Sequence, residues 1–423
     1  MTELNLKKYI FNFNWLALEK IIRLGIGFFI GIWLARYLGP ESFGILSYSQ
    51  SITGLLIAFV TLGFGPVLTR DLLNKKYNIN TLLMTSIFYQ LISSIIIIIT
   101  IGIYVFKFNY SLENMLIFII SISFIFQTFS SFDSYFQAFS LNKYVAISNI
   151  LSFGFSSFLK VYFILNNYEL LYFAVISVLE SMFLAVFYFH FYKQREQVNI
   201  LDIDFKVGTS LIKDSWPLIP HKIALVVIAN IDMIMISKML DDYSVGIYAM
   251  AYKIFLILIF MSSIITKVFF PAIVGKNISD ALQAQRFVKL YRLMIGLSFI
   301  GIIVYFSIGR YVLIIAFGEQ YTQSIEILNI LIFSIVFTFI SSVGDQWYVV
   351  KNYTKAFLFR TGIAAVINII LNYYLIRNFG SIGAAYATLI TMMYLAYFSN
   401  LYKAKYRVNL ALIHQALFIK KIL

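Results

Sequence analysis

The sequence predicts an all-α integral membrane protein of about twelve transmembrane helices arranged as two six-helix bundles. Three observations carry that expectation. The 423 residues are 61% hydrophobic and only 12% charged, with a mean hydropathy of +0.85, too few charges to cover a soluble domain of this size. Apolar stretches of the roughly 20 residues that a bilayer crossing requires recur along the whole chain. Basic residues gather in every second connection between those stretches.

In order, the predicted spans are 12–35, 43–66, 80–106, 112–138, 145–166, 169–192, 216–238, 244–273, 289–316, 322–349, 356–378 and 381–402. Runs such as Ile95 to Ile99 lack the apolar/polar alternation of a membrane barrel strand. With the N-terminus in the cytoplasm, the cytoplasmic termini, loops and flanking turns hold 22 Lys/Arg and 7 Asp/Glu, whereas the opposite side holds 5 and 6. This bias places both termini in the cytoplasm. The net charge of +14 therefore reports topology and attraction to anionic lipid heads, not nucleic-acid binding.

There is no cysteine, so thiol chemistry, disulfides and cysteine-ligated metals are excluded. His190, His221 and His414 are far apart in sequence and offer no metal-ligand spacing. Lys7 and Lys8 resemble the start of a signal peptide, but Glu19, Lys20 and Arg23 interrupt the apolar region, so no cleavage is expected. No phosphate-loop motif for ATP is present.

The polar stretch 193–215 divides the chain into an N-terminal six-helix bundle (1–192) and a C-terminal one (216–403), followed by a cytoplasmic tail (404–423). With Ile200, Leu201, Ile203, Phe205 and Val207 among its charges, the linker is expected to lie partly in the membrane interface. Leu412, Ile413, Leu417 and Phe418 suit a surface helix in the tail. The halves echo one another. Leu38-Gly39-Pro40-Glu41-Ser42-Phe43-Gly44-Ile45 corresponds to Leu240-Asp241-Asp242-Tyr243-Ser244-Val245-Gly246-Ile247 at an offset of 202, and Leu141-Asn142-Lys143-Tyr144 to Lys351-Asn352-Tyr353-Thr354 at 210. Six spans is an even number, so a tandem duplication gives halves of the same orientation, with a binding site expected where they meet.

Several stretches resemble the polysaccharide-transporter branch of the MOP superfamily, the Wzx-type O-antigen flippases. They are Asn14-Trp15 through Glu19-Lys20 and Arg23 with Leu34 to Gly44; Ile231-Asp232-Met233-Ile234-Met235-Ile236 with Val245 to Lys253; and Gly380 to Thr388. The similarity runs along the whole chain. It implies two six-helix bundles around a cavity open alternately to each side. The implied cargo is an undecaprenyl-diphosphate-linked oligosaccharide repeat unit, moved from the cytoplasmic to the periplasmic leaflet of a bacterial inner membrane. It implies no catalytic residues, and the polysaccharide polymerase or assembly machinery is the expected protein partner. The alternatives are a cation-coupled antiporter of the related MATE type and, more remotely, a membrane-bound polymerase or glycosyltransferase. The second should display a sizeable soluble domain, and the outward loops here are only a few residues long.

Charges inside spans cost on the order of 2.5–3.5 kcal/mol each on insertion scales, so each calls for a partner or a function. The basic set is Lys20, Arg23, Lys160, Lys222, Lys253 and Lys267; the acidic set is Glu19, Asp133, Glu180, Asp232, Glu326 and Asp345. Arg23 lies about 16 Å into the first helix at a rise of roughly 1.5 Å per residue, and Lys253 is its counterpart in the second half. Both are expected to contact the diphosphate, with Lys20, Lys160 and Lys222 in support. The opposing reading pairs Glu19 with Arg23 on one helix face. Asp232 and Glu180 are candidates for carrying a coupling proton or Na⁺, or else for fixed ion pairs. Glu19, Asp133 and Asp345 are gate or anchoring candidates. Gly25, Gly27 and Gly31 in the first span and Pro217 and Pro220 in the seventh are candidate hinges, with Pro271 closing the eighth. Trp15 and Trp216 suit the interfacial belt. No cofactor or resident metal is expected.

Overall fold

A computed structural model describes residues 3–273 and 279–418, without the side chains of 3–14, 16, 17, 267, 271 and 272. Lys267 and Pro271 are therefore placed by their backbone alone. Among the described residues every regular element is helical. Ten of the described helices are long and apolar enough to cross a membrane, or eleven when the bent pair Glu319–Leu331 and Ser334–Val350 counts as one.

The first of these, Leu18–Leu73, has 56 residues, on the order of 85 Å against a hydrocarbon core of about 30 Å. It holds the second predicted span and all of the first beyond residue 17. Gly39, at φ 74° and ψ 168°, breaks the helix there, a conformation that a residue without Cβ reaches readily. The break falls at Gly39-Pro40, while the helix continues through the candidate hinges Gly25, Gly27 and Gly31.

The third span shows how lipid dictates the pattern. Its buried face carries Ser86, Gln90 and Ser94, spaced by four residues, while Ile92, Ile95, Ile96, Ile99 and Ile103 are exposed. Ser86 and Gln90 reach the Ser131 hydroxyl at 3.0 and 3.3 Å, and Ser94 donates to the Phe124 carbonyl at 3.2 Å. Polar groups find partners inside and isoleucines face acyl chains, as expected where apolar burial no longer drives helix association.

The chain separates into two compact units, Met1–Leu38 with Ile45–Val226, and Gly39–Gly44 with Val227–Leu423. The first is built around Phe64, Leu68, Phe132, Phe136, Tyr192 and Leu211, with a second cluster around Leu34, Leu116 and Phe173. The linker helix Phe205–Ser215 belongs to this unit: Asp204 caps it at Lys206 N (2.7 Å), and it buries Val207, Gly208 and Leu211 while Phe205 and Ile212 remain exposed. In the second unit Tyr248, Tyr291, Trp347 and Tyr348 are fully buried. The tail forms the helix Ala404–Leu417; rather than lying free on the surface, it is fixed to the ninth span by Tyr291 donating to Asn409 at 2.7 Å and Arg292 to the Gln415 carbonyl at 3.0 Å.

Irregularities of the backbone repeat with the sequence. One π-helical turn, Tyr104–Phe108, ends the third span's helix and another, Tyr305–Gly309, sits in the ninth. The fourth span breaks after Ser121 and the tenth after Leu331. Ser140 and Asn352, which precede the matching helices Asn142–Leu165 and Thr354–Phe379, both have φ of 56°.

Candidate functional site

Five of the predicted residues meet in the first unit. Glu19 and Arg23 share one face of the first helix at a spacing of four, and Arg23 Nη1 stands 3.5 Å from Glu19. Its other terminal nitrogen is 3.5 Å from Glu180 on the sixth span. Lys160, from the fifth, is 3.7 Å from the second oxygen of Glu180, and Lys20 is 3.7 Å from Glu19. The Arg23 guanidinium also lies 5.4 Å from the Phe153 ring. Three cations and two carboxylates leave one positive charge in excess. Glu19 is buried, whereas the Arg23 side chain keeps 36% exposure. Glu180 thus stands within ion-pair distance of both Arg23 and Lys160. Gly27, one turn above Arg23, faces Phe153: a Cβ there would stand 3.4 Å from Phe153 Cζ. That is a packing contact, and nothing lies within 4 Å of a Cβ on Gly25.

Asp133 and Lys222 line a second site in this unit, a cavity of about 570 Å³ shared with Thr61, Gln90 and Gln137. Asp133 accepts from Gln137 at 2.9 Å, and the Lys222 ammonium donates to the Thr61 hydroxyl. Pro217 lies in the short turn Trp216–Leu218 and Pro220 in the first turn of Ile219–Met239. A missing N–H is tolerated there because the first turn has no internal acceptor for it.

The second unit contains Asp232, fully enclosed on the seventh span. One of its oxygens accepts from Asn372 at 2.6 Å; the other accepts from Thr388 at 2.6 Å and Tyr248 at 2.5 Å. No basic side chain pairs with it among the described residues, so hydrogen bonds alone hold the carboxyl group. The side-chain oxygens of Asn372 and of Asn368, one turn earlier, are buried without hydrogen-bond partners. Lys253 is half-buried with its ammonium 5.3 Å from the Phe43 ring. Asp345 pairs at 3.3 Å with Arg360.

Arg360 and the cage around Asp232 escaped sequence reading. Arg360 stands five residues into the eleventh span, where its charge merges with the basic cytoplasmic flank. Asn368 and Asn372, spaced by one helical turn in an apolar stretch, were the available signal for the cage.

No group of three or more metal-ligating His, Cys, Asp or Glu side chains occurs among the described residues. The many apolar helices long enough to cross a bilayer define a multi-pass helical membrane protein. Superposition gives a TM-score of 0.70 with lipid II flippase MurJ in an inward closed conformation, at 16% identity over 95% of this chain and 90% of that one. An inward-facing multidrug resistance MATE transporter of the MOP superfamily gives 0.69 at 15% identity, covering 94% and 96%. At such identities the likeness concerns the fold alone.

The chain belongs to the polysaccharide biosynthesis protein family, which it matches over residues 10–275. It is 26% identical over 198 residues to the probable low-salt glycan biosynthesis flippase of Haloferax volcanii, covering 42% of this chain and 39% of that protein. It is 30% identical over 104 residues to the teichuronic acid biosynthesis protein TuaB of Bacillus subtilis, covering 24% and 22%. The matched stretches thus span less than half of either relative.

Proposed function

We propose that this protein flips undecaprenyl-diphosphate-linked oligosaccharide repeat units, of O-antigen or a related surface polysaccharide, from the cytoplasmic to the periplasmic leaflet of a bacterial inner membrane by alternating access. The observation that carries this reading is the Arg23 cluster. Its partly exposed cations, in excess over their carboxylates, offer a phosphorylated headgroup charge-assisted hydrogen bonds in exchange for the hydration it loses. Lys253 serves the same ligand from the second half, and Lys20, Lys160 and Lys222 support it. Asp133 and Asp345 act at the cytoplasmic side, and the helix break at Gly39-Pro40 joins Gly25, Gly27, Gly31, Pro217 and Pro220 as a hinge candidate.

Asp232 is the coupling site of this proposal. One carboxyl group, two amide oxygens and two hydroxyls form a hard, all-oxygen donor set. Such a set suits Na⁺ as a transported coupling ion, and a proton on Asp232 fills the same role.

Deleting the gene and assaying which lipid-linked glycan accumulates on the cytoplasmic face tests the cargo. Complementation with Arg23→Gln and Lys253→Gln tests the site: both should insert normally and fail to transport. Normal transport by both variants ends the proposal for the site. Loss of drug efflux with intact surface glycan would move the protein to the MATE-type reading.

A further inference from the structure

The second unit holds a cavity of about 660 Å³ apart from Asp232 and Lys253, lined by Tyr348, Lys355, Ala356, Arg360, Tyr402 and Lys403 among others. Its size falls within the range of small-molecule sites, roughly 300–1,000 Å³. Arg360 is only 4% exposed. Its Nη2 is occupied by Ser341 (3.1 Å), the Leu395 carbonyl (2.8 Å) and Asp345 (3.3 Å), and the guanidinium lies 4.8 Å from the Tyr348 ring. Its Nε and Nη1 have no hydrogen-bond partner. Lys355 and Lys403 are exposed, and neither has an acidic partner among the described residues. Asp345 is the one acid paired at this cluster, so three cations face one carboxylate.

The backbone adds to the charge. Lys355 and Ala356 belong to the first turn of the helix Thr354–Phe379, and Lys403 is the residue before Ala404–Leu417. Two helix N-termini thus open on one cavity, and neither has a side-chain cap. Uncapped N–H groups and the positive dipole end both favour an anion. Phe359, Phe398 and Tyr402, exposed apolar rings beside the cavity, are suited to the boundary between headgroups and acyl chains. At the repeat offset of 210 the first half has Ile150 in place of Arg360, so the arginine is not a packing requirement of the repeated fold.

We propose that this cavity binds a phosphate group, held by Arg360, Lys355, Lys403 and the two helix starts. The proposal concerns a site separate from the transport residues and stands whether or not the glycan cargo is correct. The phosphate arrives either on an anionic phospholipid from the adjacent leaflet or on a soluble molecule.

The purified full-length protein in neutral detergent is titrated with phosphatidylglycerol, phosphatidylcholine and inorganic phosphate, with binding read by native mass spectrometry. Saturable binding of phosphatidylglycerol over phosphatidylcholine is expected, weakened about thirtyfold in Lys355→Gln/Lys403→Gln. Both lysines are exposed, so an unchanged melting temperature is expected for that variant. Ala356→Trp fills the cavity without changing its charge and should weaken binding comparably. Displacement by inorganic phosphate assigns the site to the phosphate alone; lipid binding that phosphate does not displace assigns it to the headgroup with its chains. Equal retention of the two lipids with no phosphate bound, or unchanged binding in Lys355→Gln/Lys403→Gln, overturns the proposal. Lipid loss in the lysine variant with full binding in Ala356→Trp would mean surface attraction without a cavity site, and overturns it as well.

Discussion

Gly44 and Gly246, which occupy the same place in the two sequence repeats, meet in a reciprocal backbone contact within the second unit. A Cβ on Gly44 would overlap the Asp242 carbonyl oxygen and stand 2.8 Å from Gly246 N; one on Gly246 would overlap the Pro40 carbonyl oxygen and stand 2.7 Å from its carbon. Pro40 and Asp242 are themselves separated by the repeat offset of 202. The local contact is therefore reciprocal, each glycine packed on the main chain that precedes the other, as in an isologous contact. Both obstacles are main chain and cannot swing aside as a long side chain would.

Gly44→Ala and Gly246→Ala should each destabilise the protein by about 1–3 kcal/mol, the usual range for forced overpacking. Because they strain one shared contact, the double variant should cost clearly less than the sum. Melting temperatures of the purified variants measure both effects. Additive losses would show two independent sites of strain.

Around Asp232 the expected order is different. Thr388→Val removes one donor while preserving shape, leaving a buried carboxyl oxygen poorly satisfied at a cost of about 1–3 kcal/mol. Asp232→Asn keeps the volume but removes the charge and turns one acceptor into a donor facing Asn372. Under the coupling reading, Asp232→Asn should abolish the dependence of transport on sodium or pH in vesicles, while Thr388→Val lowers the apparent affinity for the ion. Unaltered ion dependence in Asp232→Asn would confine this carboxyl group to a structural role.

The spans were legible because lipid imposes a length and polarity rule on any helix that crosses it. Each of the twelve segments coincides with observed helix to within about two residues at its ends, four of them across a short internal break, and the break in the first helix lies between two segments. Its residue was less legible: three glycines at 25, 27 and 31 drew attention, yet they remain helical, and the positive φ is at Gly39. Pairing was harder still. Glu19 with Arg23 could be read from helical spacing, but the junction with Glu180 and Lys160 needs three helices in register. The Asp232 cage is built from Tyr248, Asn372 and Thr388, neutral residues that look like ordinary span polarity until the eleventh and twelfth helices bring two of them together.

At the linker, Arg70 bonds Asp71 at 2.7 Å and also the Asp214 carboxylate, with Lys76 at 3.9 Å from Asp214. The Arg70 hydrogen bond holds the Asp214 carboxyl below its usual value. A depressed carboxyl stabilises the fold above the unfolded value of about 4, and that contribution disappears as pH falls through the lower folded value. Asp214→Asn should therefore lose a small amount of thermal stability at neutral pH and none below the folded value. High salt should shrink the difference, since the group is solvated. A stability difference that persists unchanged at low pH would mean that packing of the linker helix, rather than the ion pair, is responsible.

The Arg23 cluster separates charge from geometry. Glu180→Gln leaves Arg23 with Glu19 and Lys160 without a carboxylate, raising the local positive excess from one to two. If the excess binds the diphosphate, this variant should hold substrate at least as tightly and release it more slowly, with slower turnover at saturating lipid. Arg23→Lys keeps a cation but loses the fork that spans Glu19 and Glu180, so transport should fall about tenfold while Arg23→Gln falls further. Stability should change little in Arg23→Lys, which keeps a cation beside the buried Glu19, and fall further in Arg23→Gln, which leaves that carboxylate with Lys20 alone. Initial rates and apparent affinities for a lipid diphosphate in reconstituted vesicles distinguish these cases. If Glu180→Gln and Arg23→Gln weaken substrate binding equally, the two residues serve as a structural pair, and the diphosphate contact must be sought elsewhere.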